Sequence, residues 1–193
     1  MKSSINVQWM VGLLLILTAV MTEGCKEDVL PKPKAQLRLE YEDAAYSVID
    51  TDCPFVFERS NKAKESINSK CWINLVYPEL NAQVNITYRP IDNNLKELFM
   101  EAEKLTFNHS IKADGISSKP YEDKARRVFG AVFEVTGNAA SPVQFHITDS
   151  TDHFLTGAIY FDVQPNYDSI KPAAHYIQKD VIHLFESLKW KEK

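Results

Sequence analysis

Five consecutive residues, Asp149, Ser150, Thr151, Asp152 and His153, bring hydroxyls, carboxylates and an imidazole together. These are the parts of a hydrolase in which Ser150 attacks, His153 takes its proton and Asp149 orients the imidazole. Catalysis needs more than the parts, because the nucleophile is usually set beside an oxyanion hole, and the chain contains no Gly-x-Ser-x-Gly elbow. Between two strand-like runs, short polar side chains that bond nearby backbone groups make a turn. A turn is the expectation here, and hydrolysis at Ser150 is the alternative.

His146, Asp149 and His153 could also be offered to a metal. Zinc sites show three or four ligands at recognisable spacings, such as His-Glu-x-x-His on a helix. No such spacing occurs, so neither a metal nor another cofactor is expected. His146 alternates with Phe145 and Ile147 and points away from their face. That is the ordinary place for a polar side chain.

Cys25 offers different chemistry, the acylation of a thiol. It follows an apolar run over residues 9–21 and Thr22, Glu23 and Gly24, with Lys2 upstream as the positive end. This is the layout of a bacterial lipoprotein signal. A run of this length covers about 20 Å as a helix, short of the ~30 Å of hydrocarbon that a permanent span must cross. The alternative is plain secretion with cleavage elsewhere, since Thr22 and Glu23 depart from the usual residues before the cysteine. Residues 1–24 are thus read as a signal peptide and Cys25 as the lipidated first residue.

Residues 25–34 then form a polar tether, in which Pro31 and Pro33 favour an extended backbone. Its charges Lys26, Glu27 and Asp28 keep it solvated, and a lysine followed by two acids also resembles the export signal of surface lipoproteins in Bacteroidetes. Residues 35–193 are long enough for one domain with its own core. The chain carries a formal net charge of −4, so there is no basic field for nucleic acid or anionic lipid. Membrane contact is expected through the lipid alone.

Cys53 and Cys71 are the other two cysteines, and export makes a disulfide chemically accessible. Each lies near the start of a strand-like run. If those runs pair as an antiparallel hairpin, the thiols stand about five residues apart at ~3.3 Å each, beyond the ~7 Å between Cα atoms that a bridge tolerates. The hairpin therefore predicts two buried free thiols. A bridge requires another strand arrangement.

The elements that position these groups are legible in the periodicity. Residues 35–41 alternate Leu37, Leu39 and Tyr41 with polar residues, and residues 54–58, 72–77 and 83–88 are short β-branched and aromatic runs. Residues 60–70 read as a polar link. A helix follows Asn94, with Glu97 placed to close a capping box and Leu95, Leu98, Phe99, Ala102 and Leu105 on one face. Residues 114–119 read as a loop, and strands resume over 127–135, 143–148 and 154–161. Pro172 and the face Ala173, Ile177, Val181, Leu184, Phe185 and Leu188 define a terminal helix. Adjacent strand runs with short links give an α+β fold, a single twisted and mainly antiparallel sheet packed against two amphipathic helices.

Two loops on this scaffold are candidates for contact with partners. Gly137, Asn138, Ser141 and Pro142 lie in a link of small residues that reads first as a tight structural turn and otherwise as a loop that lets another backbone approach closely, and Asn166, Tyr167 and Asp168 lie ahead of the terminal helix. Aromatic Trp72, Tyr77 and Tyr88 are expected in the core; gathered in a pocket, they would instead bind a lipid or glycan.

Several stretches together resemble the gliding motility lipoprotein GldD family. They are Cys53, Pro54 and Phe55; residues 137–145; Thr148, Asp149 and Ser150; His153, Phe154 and Leu155; residues 157–161; and residues 165–169. The resemblance implies a component of the Bacteroidetes cell envelope, held by acyl chains such as palmitate on Cys25, needed for gliding and working beside the type IX secretion apparatus. It implies an outer-membrane location and other motility or secretion proteins as partners. It implies a process and no catalytic activity.

Overall fold

Alternating β-branched and aromatic residues build ten strands among the described residues of the computed structural model, which are 39, 41–49, 51–108, 113–163 and 166–191. In chain order these are β1 (Tyr46–Ile49), β2 (Phe55–Ser60), β3 (Lys64–Ile67), β4 (Ile73–Tyr77) and β5 (Ala82–Pro90); then helix α1 (Leu95–Asn108); then β6 (Ala113–Asp123), β7 (Val128–Gly137), β8 (Val143–Thr148) and β9 (His153–Phe161); and last helix α2 (Tyr167–Ser187) and β10 (Lys189–Trp190). The signal, Cys25 and the tether lie outside the described residues. So does the expected strand 35–41 apart from Leu39 and Tyr41, neither of which is in a strand.

The fold is α+β, with a main antiparallel sheet packed on helices. Seven strands in the order β3-β4-β5-β9-β8-β7-β6 form that sheet, and β1-β2-β10 form a second, three-stranded one. Val143, Phe145 and Ile147 of β8 face the main core beneath α2, whose Ile177, Val181, Leu184 and Phe185 are buried together with Leu188 just past its end, as their spacing predicts. Fully burying each such side chain contributes roughly 1.5–3 kcal/mol. Phe145 meets Phe185 edge to face at 5.8 Å, and its ring lies across Gly157, where an added Cβ would stand 2.1 Å from the ring. Phe55 and Phe57 of β2 close the same core.

The link over residues 60–70 contains β3, and the loop expected over 114–119 is the middle of β6. Both are edge strands made by pairing rather than by burial: β6 is polar and mostly exposed, carries Pro120, and takes its register from β7. Charged side chains and proline blunt such edges. Helix α2 begins five residues before Pro172, which sits inside it. Asn94 stands just before α1, but its Oδ1 accepts the N–H of Asp92 at 2.9 Å, so its part in a capping box is taken by the preceding turn.

Two cysteines correct the hairpin argument. Strand β2 pairs with β1 and β10 rather than with β4, so Cys53 and Cys71 approach from different sheets. Their Cα atoms are 5.6 Å apart and they form a disulfide in place of two free thiols. Replacing both by alanine is expected to lower stability by about 3 kcal/mol, from the loop freedom returned to the unfolded chain. Denaturant midpoints measured with and without reductant check this, and a midpoint indifferent to reductant would contradict it.

Helix α1 covers the opposite face of the main sheet, so β8 is buried on both sides. His146, read as an ordinary outward polar residue, is therefore only 8% exposed. Phe99 of α1 meets it edge-on at 5.1 Å and Phe154 stacks beside it. Burial pushes its pKa down to about 4. The unfolded chain takes up a proton below ~6.5 while the folded protein does not, so stability falls as pH drops from ~6.5 to about 4. The loss is about 3 kcal/mol in all. Chemical denaturation across that window should show the slope in wild type and not in His146→Leu; identical profiles would contradict it.

A buried polar knot ties the small sheet to α2. Asp180, 7% exposed, accepts Tyr46 Oη at 2.8 Å and Tyr77 Oη at 3.0 Å. Tyr46 also stacks on His183 at 3.6 Å.

Candidate functional site

Gly137 ends β7 with φ +95°, a left-handed backbone suited to glycine. An added Cβ there would stand 2.7 Å from Asp114 N. The chain then folds inward. Ser141 is fully buried and its hydroxyl donates to Val143 O at 3.0 Å, while Pro142 is buried and its carbonyl accepts from Val135 N at 2.8 Å. Gly137, Ser141 and Pro142 therefore shape this loop from inside and do not present side chains to a partner. Asn138 and Ala140 are the residues it displays.

Asn138 Oδ1 accepts the N–H of Tyr167 at 3.0 Å, which joins the two candidate loops into one platform. On the other side, Asn166 O accepts from Ser169 N and Ile170 N at 3.1 Å each. Asn166, Asp168 and Ser169 are exposed and Tyr167 is half-buried. Burial first, and then Glu134, Asp168 and Asp114, push the Tyr167 phenol up. Lys171 Nζ stands 5.6 Å from the centre of the Tyr167 ring, so charges of both signs border the platform. Beside it lies an open cleft of about 740 Å³, floored by Leu80, Phe161 and Ile170. Leu39 and Val163, each 47% exposed, stand at its edge.

The cluster at 149–153 is a turn between β8 and β9. Asp149 Oδ1 accepts the backbone N–H groups of Thr151, Asp152 and His153 at 3.0, 2.9 and 2.8 Å. Burial pushes Asp149 up, but these donors and the Thr151 hydroxyl outweigh it and hold the carboxyl below its ordinary range. His153 Nδ1 lies 3.0 Å from Tyr88 Oη, and its ring stacks on Trp190. The ring nitrogen that a triad would aim at Asp149 faces Tyr88 instead. Asp149→Ala is expected to cost about 3 kcal/mol through three lost charge-assisted bonds, against less than about 0.5 kcal/mol for Ser150→Ala. Equal melting temperatures for the two variants would contradict this reading of Asp149.

Trp72, Tyr77 and Tyr88 are not gathered into one site. Tyr77 is buried in the core, but Trp72 is 45% exposed with Lys70 Nζ 5.3 Å from its ring, against the expectation of a core position. Strand β4 begins one residue after Trp72, so the indole falls outside the alternation. Tyr77 pairs with Ala82, at the far end of β5 from Tyr88.

Periodicity gives no sign of Arg126, which joins its own turn to the end of α2. It bonds Asp123 and Tyr121, and its Nη1 donates to the carbonyls of Phe185, Glu186 and Leu188. A cation at the carbonyl end of α2 is favourable.

These observations define a class: an α+β domain of two antiparallel sheets whose main sheet is packed on helices. Among the described residues, no three His, Cys, Asp or Glu side chains are grouped to hold a metal, and no helix is long and apolar enough to cross a membrane. The chain belongs to the gliding motility lipoprotein GldD family, whose family model matches residues 26–190. The family implies a membrane-anchored lipoprotein of the cell envelope that serves gliding motility. No curated protein matches the chain.

Proposed function

We propose that this protein is a non-catalytic assembly component of the gliding machinery, held at the outer membrane by acyl chains on Cys25 and working beside the type IX secretion apparatus. The observation that carries this reading is the Asn138 to Tyr167 bond, which fixes two loops into one surface. Loops held on a rigid sheet commonly carry recognition, and a fixed surface loses less entropy on binding. Exposed polar Asn138, Asn166 and Ser169 share the cleft with apolar Leu39 and Val163, a mixture that suits an envelope protein presenting polar and apolar residues together.

Changing Ala140→Trp is expected to stop gliding while melting temperature and membrane retention stay as in wild type, because Ala140 is exposed on the loop. Normal gliding in that variant would overturn the assignment of this surface. Ser150→Ala separates the hydrolase alternative: it leaves gliding intact if the assembly reading holds and abolishes it if Ser150 is a nucleophile. The second reading, a ligand-binding lipoprotein, draws support from a cavity under α1.

A further inference from the structure

Helix α1 crosses the outer face of the main sheet without covering all of it, and beside the helix lies a cavity of about 300 Å³. That is at the small end of ligand sites, which run from ~300 to 1,000 Å³, and suits one ring-sized unit. Its floor is low because Gly157 and Ala158 of β9 are small. Its walls are tall because Phe133 of β7, Tyr160 of β9 and Leu105 of α1 stand around them. Leu105 is 55% exposed at this mouth, not seated in the helix's buried face as its spacing predicts.

The polar lining is unusual in being entirely uncharged. Asn85, Thr87, Thr156 and Tyr160 converge on the cavity, and their side chains make no hydrogen bond to the described residues. At the closed end Gln144, 6% exposed, takes one bond from Thr106 at 3.1 Å and leaves its other amide atom unpartnered. His146 beside it is neutral near pH 7, because burial holds its pKa low. A charged ligand would find no countercharge here. A hydroxyl, which both donates and accepts, matches amides and hydroxyls in either orientation, and an aromatic wall suits the apolar face of a sugar ring.

We propose that the cavity under α1 binds a neutral sugar unit of a glycan through Asn85, Thr87, Thr156 and Tyr160, with Gln144 at its closed end. This goes beyond the assembly role and does not depend on it. The probes are N-acetylglucosamine and its β-1,4-linked dimer, with glucuronic acid as the charged control, measured on the intact protein by saturation-transfer NMR. Transfer to a neutral probe and none to glucuronic acid is the expected result. Asn85→Ala should weaken binding about tenfold, and Ala158→Phe, which fills the floor from the outer face, should abolish it while the melting temperature holds. No transfer to either neutral probe would overturn the proposal. So would binding indifferent to both substitutions, or equal binding of glucuronic acid.

Discussion

Asp180→Ala is expected to destabilise the protein by about 4 kcal/mol, because two tyrosine hydroxyls lose their acceptor and a cavity opens beside them. Tyr77 is 1% exposed, and its hydroxyl donates to Asp180 at 3.0 Å. Burial pushes Asp180 up, and the hydroxyls of Tyr46, Tyr77 and Ser60 pull it down without cancelling that effect. The ionised form is therefore disfavoured in the fold. Stability attached to this group is full below its unfolded pKa of ~3.9 and declines as pH rises through the higher folded value. Asp180→Asn keeps one of the two acceptor oxygens and offers an N–H to the other hydroxyl, which can accept it, so it should cost less than Asp180→Ala at neutral pH. Denaturant titration of both variants checks the pair. Equal losses would show that the knot stabilises through its charge rather than its hydrogen bonds.

Cys25→Ala has the largest expected effect in the cell: loss of acyl labelling, release of the domain from the membrane fraction, and no gliding. The reasoning is thermodynamic. Acyl chains contribute ~0.8 kcal/mol per buried CH₂, and several on one cysteine hold firmly where one does so only marginally. The net charge of −4 gives an anionic surface no reason to retain the unlipidated domain. Labelling with a palmitate analogue, fractionation and a spreading assay test the three parts together. Retention of the alanine variant in the membrane fraction would mean that something other than Cys25 anchors it.

Periodic burial was legible and pairing was not. The face of α2 read from Ala173 to Leu188 is buried throughout, and β8 begins and ends where its alternation does. Strands β3 and β6 were invisible because Lys64, Glu65, Ser117 and Lys119 bury nothing; only a neighbour's backbone makes them strands. His146 illustrates the same limit from the other side, since no local pattern tells that α1 will be laid over it. The disulfide escapes the hairpin argument for a topological reason, because β2 and β4 lie in different sheets. At the platform, Asn138 and Asp168 were recognisable as loop residues, but the bond from Tyr167 to Asn138 spans 29 positions, and the inward turn of Ser141 and Pro142 depends on packing.

The central claim is that the joined loops contact a motility or secretion protein while Cys25 holds the domain at the membrane. Photo-cross-linking in gliding cells tests it most directly, with the photoreactive residue at Asn166 or at Ser169, both exposed on the platform and outside the Asn138 to Tyr167 bond, in a fully active copy and at Glu103 on α1 as control. The account predicts the same envelope protein at both loop positions, absent at Glu103 and lost when Cys25→Ala is added. Adducts equally abundant at all three positions, or none at either loop position, would contradict it.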